Sequence, residues 1–120
     1  MGLFQGTAVL RAGVDKLLKG DAVMGALQRK VGRYVDILEL GCAEEGGVMA
    51  VVRLRGFSED VRVVLRRAEI GDGGAWVRPV EIFADREGVN ALLKDMVQGR
   101  TFELPSMVKP FAGMLKGLFA

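Results

Sequence analysis

A chain of 120 residues with 17 Lys/Arg against 15 Asp/Glu, half of it hydrophobic and with one cysteine, has room for a single domain whose core needs no staple. The complete absence of histidine removes the usual general base near neutral pH and the commonest zinc ligand, which excludes most hydrolase chemistry. No apolar run approaches the ~18 residues of a membrane-spanning helix, and Cys42, with no second cysteine to pair with, favours a cytoplasmic setting.

The charge is uneven. Residues 1–34 carry six basic side chains against Asp15 and Asp21, the middle of the chain is acidic, and from residue 100 onward Arg100, Lys109 and Lys116 face only Glu103. The opening MGLFQG has no basic stretch ahead of an apolar core, so no secretory signal is expected. Gly6 stands where a myristoylation motif needs Ser or Thr.

In chain order, Leu10, Val14, Leu17, Leu18, Met24, Leu27 and Val31 recur near helical spacing, predicting one helix or two over residues 7–31. Gly20 is the expected break, with Asp21 capping the second helix. Gly6, Gly13 and Gly20 fall near one stripe and lose about 1 kcal/mol each in helix propensity relative to Ala, a loss that close approach of another element could recover.

Strands are predicted at Tyr34–Leu40, Val48–Arg55, Val61–Ile70 and Trp76–Ala84. The stretch GDGG marks a tight hairpin between the last two. Pro79 cannot donate to a ladder, so its strand is expected to be an edge or to carry a bulge. Asp85 then reads as the cap of a helix whose stripe is Val89, Leu92, Leu93, Met96 and Val97, stopped at Gly99. RTFEL, from Arg100, suggests a short fifth strand. Pro105 and Ser106 open a last helix bearing Met107, Val108, Phe111, Met114, Leu115, Leu118 and Phe119. The expected architecture is one α+β domain over residues 1–120. A four- to five-stranded antiparallel meander sheet carries the N-terminal helix or helices and two C-terminal helices on one face.

No stretch has the spacing of a catalytic or metal-binding motif. The turn carboxylates Glu44, Glu45, Glu59, Asp60 and Asp72 lack the burial that general acid/base work needs. No glycine loop carries the Lys and Ser/Thr that hold phosphate. Arg53, Arg55, Arg62, Arg66 and Arg67 form an arginine-rich pair of strands. Acids lie nearby and no aromatics stand on these strands, so nucleic acid is an unlikely partner and a solvated, cross-strand-paired face is the expected one. No catalytic residue, cofactor or metal is assigned, and Cys42 reads as a small hydrophobe rather than a nucleophile.

Two stretches, VEIFADREGVNALLKDMVQG and FAGMLKGLF, together with the order of elements, resemble the sterol carrier protein type 2 domain. The first is similar to that family's strand leading through an acidic cap into a helix. The second is similar to its apolar, Lys-punctuated C-terminal helix. The matching stretches cover about a quarter of the chain, and the segment GRTFELPS between the last two helices is shorter than the family usually shows. The resemblance implies helices over a sheet and an apolar tunnel that binds fatty acyl chains, sterols or similar lipids without covalent chemistry. It implies Val89, Leu92, Leu93 and Met96 on one wall and Phe111, Met114, Leu115, Leu118 and Phe119 on the opposite wall.

Two functional expectations follow. The first is non-catalytic binding of a lipid or other apolar small molecule between sheet and helices, with basic end segments allowing peripheral membrane contact. The alternative is a structural or interaction protein that homodimerises or docks on a partner through its apolar helix faces.

Overall fold

The computed structural model describes residues 12–119. Gly6 and the myristoylation-like opening lie outside them. The N-terminal pattern resolves into two helices, α1 (residues 12–18) and α2 (Asp21–Val31). The break falls at Gly20 as the propensities require, but Gly20 itself is the N-cap of α2. Asp21 occupies the first turn, where its charge complements the helix dipole rather than capping by a hydrogen bond.

Five strands follow in the order β1 (Val35–Cys42), β2 (Val48–Leu54), β3 (Asp60–Ile70), β4 (Trp76–Ala84) and β5 (Phe102–Glu103), each antiparallel to its sequence neighbour in one sheet. This is an α+β domain built on an antiparallel meander. The GDGG hairpin closes with Gly71 N–H donating to the Trp76 carbonyl at 2.8 Å, across a single 3-10 turn at Asp72–Gly74.

Pro79 is accommodated by irregularity. Between Leu65↔Ile82 and Ala68↔Pro79 the register shifts twice, giving one extra residue on each strand. A bulge exempts Pro79 from a donor role and changes which residues face inward. Pro79 and Ile82 are buried while Val80 is 41% exposed, so the simple alternation of Trp76, Val80 and Ile82 predicted for β4 does not hold across the bulge. A second shift between Ile37 and Glu39 turns Leu38 outward, 44% exposed.

Alternation along β2 puts Val48, Ala50 and Leu54 on one face. Val48 and Ala50 pack there on the core built from Val14, Leu18, Val23, Leu40, Val108 and Leu115. The opposite face carries a ladder of ion pairs, with Arg53–Asp60 at 2.8 Å, Arg62–Glu45 at 2.6 Å and Arg66–Glu81 at 3.2 Å. Arginines meeting carboxylates in this way leave that face with alternating charge rather than a positive field.

Helix α3 (Glu87–Met96) follows β4. Its N-cap is Arg86, not Asp85. The Asp85 carboxylate instead accepts from the Arg62 backbone N–H at 3.0 Å, and its own N–H donates to the Arg62 carbonyl at 3.1 Å, which extends the β3–β4 pairing by one residue. The chain turns at Gly99, where φ is 81°. The last apolar stretch is split into a 3-10 segment, Ser106–Phe111, and α4 (Ala112–Phe119). Pro110 accounts for the split, because it lacks an N–H and its ring clashes with the preceding turn of an α-helix.

Candidate functional site

The space between α1, α2, the sheet and the C-terminal segment is not completely filled and is partly open to solvent. A void of about 210 Å³ remains there. Helical spacing aims Leu17 and Leu18 of α1 and Val23 and Leu27 of α2 into it, and Val48, Leu65, Ile70 and Val77 form its sheet floor. Leu104, Pro105, Val108, Leu115 and Phe119 close the remaining side. The thirteen lining side chains among the described residues are all apolar and offer water no hydrogen-bond partner.

Two further recesses are larger but different in kind. The first, about 540 Å³, is bounded by Cys42, Glu44, Glu45, Met49 and Arg62. Of its two carboxylates, Glu44 and Glu45, the second is committed. Glu45 accepts from both terminal nitrogens of Arg62, at 2.6 and 3.0 Å. This guanidinium, followed by a backbone hydrogen bond, holds Glu45 at a pKa of about 2, and Arg62 is pushed up in turn. A carboxylate ionised this firmly is a poor proton acceptor at neutral pH. Among the described residues no group of three or more His, Cys, Asp or Glu side chains could hold a metal ion.

The second recess, about 470 Å³, lies between α3 and the β2–β3 turn, bounded by Leu54, Phe57, Glu59, Val61, Arg86, Gly88, Val89 and Leu92.

These positions divide the residues the sequence put on two walls of one tunnel. Val89 and Leu92 line the recess beside the β2–β3 turn, whereas Leu115 and Phe119 line the 210 Å³ void. Met114 and Leu118 pack against the core next to that void, and Phe111 is half-buried at the end of the 3-10 segment. Leu93 is half-buried and Met96 is 59% exposed. The expectation that α3 and the C-terminal helix face each other is therefore corrected. Helix α3 packs beside β4 and reaches the Leu54–Val61 end of the sheet, while α4 covers the Val48–Leu65 end.

Sequence reasoning missed the walls supplied by the strands and by α1 and α2. The periodicity of Leu17, Leu18 and Leu27 was the available signal for the helices. Nothing distinguished Val48, Leu65, Ile70 or Val77 from ordinary strand hydrophobes.

The helix–sheet contact on the α2 side is polar at its rim. Lys30 Nζ donates to the Glu103 carbonyl at 3.2 Å, bridging α2 to β5, with Leu27 and Leu104 lining the void on either side of that seam. No protein-family model, curated protein or solved structure matches the chain. No helix among the described residues is long and apolar enough to cross a membrane.

Proposed function

We propose that this protein binds a small apolar molecule, an alkyl chain or a single ring, in the void between its helices and sheet, as a non-catalytic carrier or binding protein of the cytoplasm. The observation that carries this reading is a partly open void of about 210 Å³ between helices and sheet, lined by thirteen apolar side chains among the described residues. An apolar occupant would remove that wall from water, at roughly 25 cal/mol per Å² of apolar surface covered.

Volume narrows the ligand. An apolar cavity of ~150 Å³ accepts benzene, and drug-sized ligands occupy ~300–1,000 Å³. The void lies between these limits, which favours one short chain or ring over a whole sterol, the larger of the ligands that the sterol carrier resemblance implies. The seam bridged by Lys30 and Glu103 is the proposed route of entry, because it is closed by one exposed hydrogen bond and a two-residue strand. A titration series settles the matter. Saturable 1:1 binding is expected for medium-chain alcohols or single-ring aromatics and much weaker binding for a sterol. No saturable binding of any of these, with no ligand carried through purification in native mass spectrometry, would sink the proposal.

A further inference from the structure

Among the described residues the apolar stripe of α3 is only partly covered, with Val89 and Leu93 half-buried. No residue of Glu87–Met96 is buried, and Leu92 and Met96 are 53% and 59% exposed. An amphipathic helix normally hides such a stripe against the core. Beside it stands Phe57, 68% exposed, held out at the β2–β3 turn by its own backbone N–H, which donates to the Leu54 carbonyl at 3.0 Å. Between Phe57 and α3 lies the 470 Å³ recess, floored by Val61 and open where Gly88 has no side chain. A protruding aromatic and a hollow able to take one therefore share a single patch.

We propose that this patch is a two-fold interface between two copies of the chain, each Phe57 seated in the recess of the other. The charges at the rim select this occupant. Glu59 and Arg86 meet at 2.5 Å and remain about half or more exposed, so the rim presents one group of each sign. Under two-fold rotation such a rim is complementary to itself. It does not suit an anionic bilayer or a nucleic acid: the stretch Asp85–Met96 holds Asp85, Glu87 and Asp95 against Arg86 and Lys94. The inference is independent of the 210 Å³ void, which lies under α4 at the other end of the sheet.

Sedimentation equilibrium tests it. The protein is expected to dimerise at micromolar concentration. Phe57→Asp and Leu92→Glu, each checked for a native circular dichroism spectrum, are expected to weaken the dimer at least about 30-fold, the scale of hot-spot truncation. Phe102→Asp, at a 41% exposed position on β5 paired with Val77 at the other end of the sheet, adds the same charge and is expected to leave it intact. The decisive arm uses Arg86→Glu and Glu59→Arg. Each alone should fail to self-associate, and an equimolar mixture should recover dimer, because each chain then offers the other the opposite rim. A wild-type monomer at tens of micromolar, a Phe57→Asp dimer as tight as wild type, or a mixture that stays monomeric overturns the proposal. So does a monomer that binds anionic vesicles or nucleic acid through these same residues.

Discussion

The terminal methyl of Met114 lies 2.7 Å from where a Cβ on Gly13 would stand, so α4 and α1 meet at a point where α1 has no side chain. The glycine stripe has a structural use at this position. The contact is made by the far end of a flexible side chain, which can swing aside. Gly13→Ala gains about 1 kcal/mol of helix propensity and forces an adjustment of Met114 of similar size, so its net effect is expected within about 1 kcal/mol of zero. Gly47→Ala makes the contrast. Gly47 has φ 77°, and an added Cβ would sit 2.1 Å from the Leu65 carbonyl oxygen, a backbone atom that cannot yield. About 3 kcal/mol of destabilisation is expected from left-handed strain and overpacking together. Urea denaturation of the two variants checks the pair.

Gln28 ties α2 to the sheet edge. Its Oε1 accepts from Ile37 N–H at 2.7 Å and its Nε2 donates to the Val35 carbonyl at 3.1 Å, imitating the strand that β1 lacks on its outer side. Gln28→Ala leaves both backbone groups without this partner at a half-buried site, and about 1–3 kcal/mol of destabilisation is expected. Amide exchange at Ile37 should accelerate as well. Unchanged exchange there would mean that solvent replaces the glutamine without loss.

The Glu45–Arg62 pair predicts an acid-sensitive contribution to stability. Glu45 is lowered from an ordinary 4.5 to about 2 in the folded protein. A depressed carboxylate stabilises the fold above its unfolded pKa, and that contribution is lost as pH falls from about 4.5 towards 2. Wild type should therefore melt above Glu45→Gln at pH 6, with the difference shrinking through this window and gone at its lower end. A difference that is constant with pH would assign the effect to packing rather than charge.

If ligand passes the seam at Lys30, Lys30→Met should speed exchange. Losing one exposed hydrogen bond, worth roughly 0.5–1 kcal/mol, raises the dissociation rate about threefold and leaves the melting temperature of the empty protein nearly unchanged. Stopped-flow displacement of a bound apolar ligand measures this. An unaltered off-rate places the exit elsewhere.

The strand order and most element boundaries were legible, since alternation and turn residues act locally. Trp76–Ala84 is a strand as read, and the alternatives offered by Pro79 included the bulge that forms. Local chemistry misled where two partners competed for one group. Asp85 could cap a helix, but the backbone of Arg62 across the sheet engages it instead, and Asn90 Oδ1 takes up the Ala84 N–H at 3.1 Å. The site was only half legible for the same reason. The stripes of α3 and α4 look alike in sequence, and which end of the sheet each covers depends on long-range packing that periodicity does not encode. Val108 and Leu115 became part of a void because Leu65 and Ile70 stand opposite them.

The apolar void between helices and sheet is proposed as a binding site. It is tested most directly by isothermal calorimetry of one medium-chain alcohol with wild type and Val108→Phe, each confirmed folded by its thermal transition. Val108 is 6% exposed and lines the void, so the larger ring must occupy space the ligand would use. The account predicts saturable 1:1 binding to wild type and its loss, by tenfold or more (about 1.4 kcal/mol), in a Val108→Phe protein that still unfolds cooperatively. Equal affinity in the two proteins would contradict it.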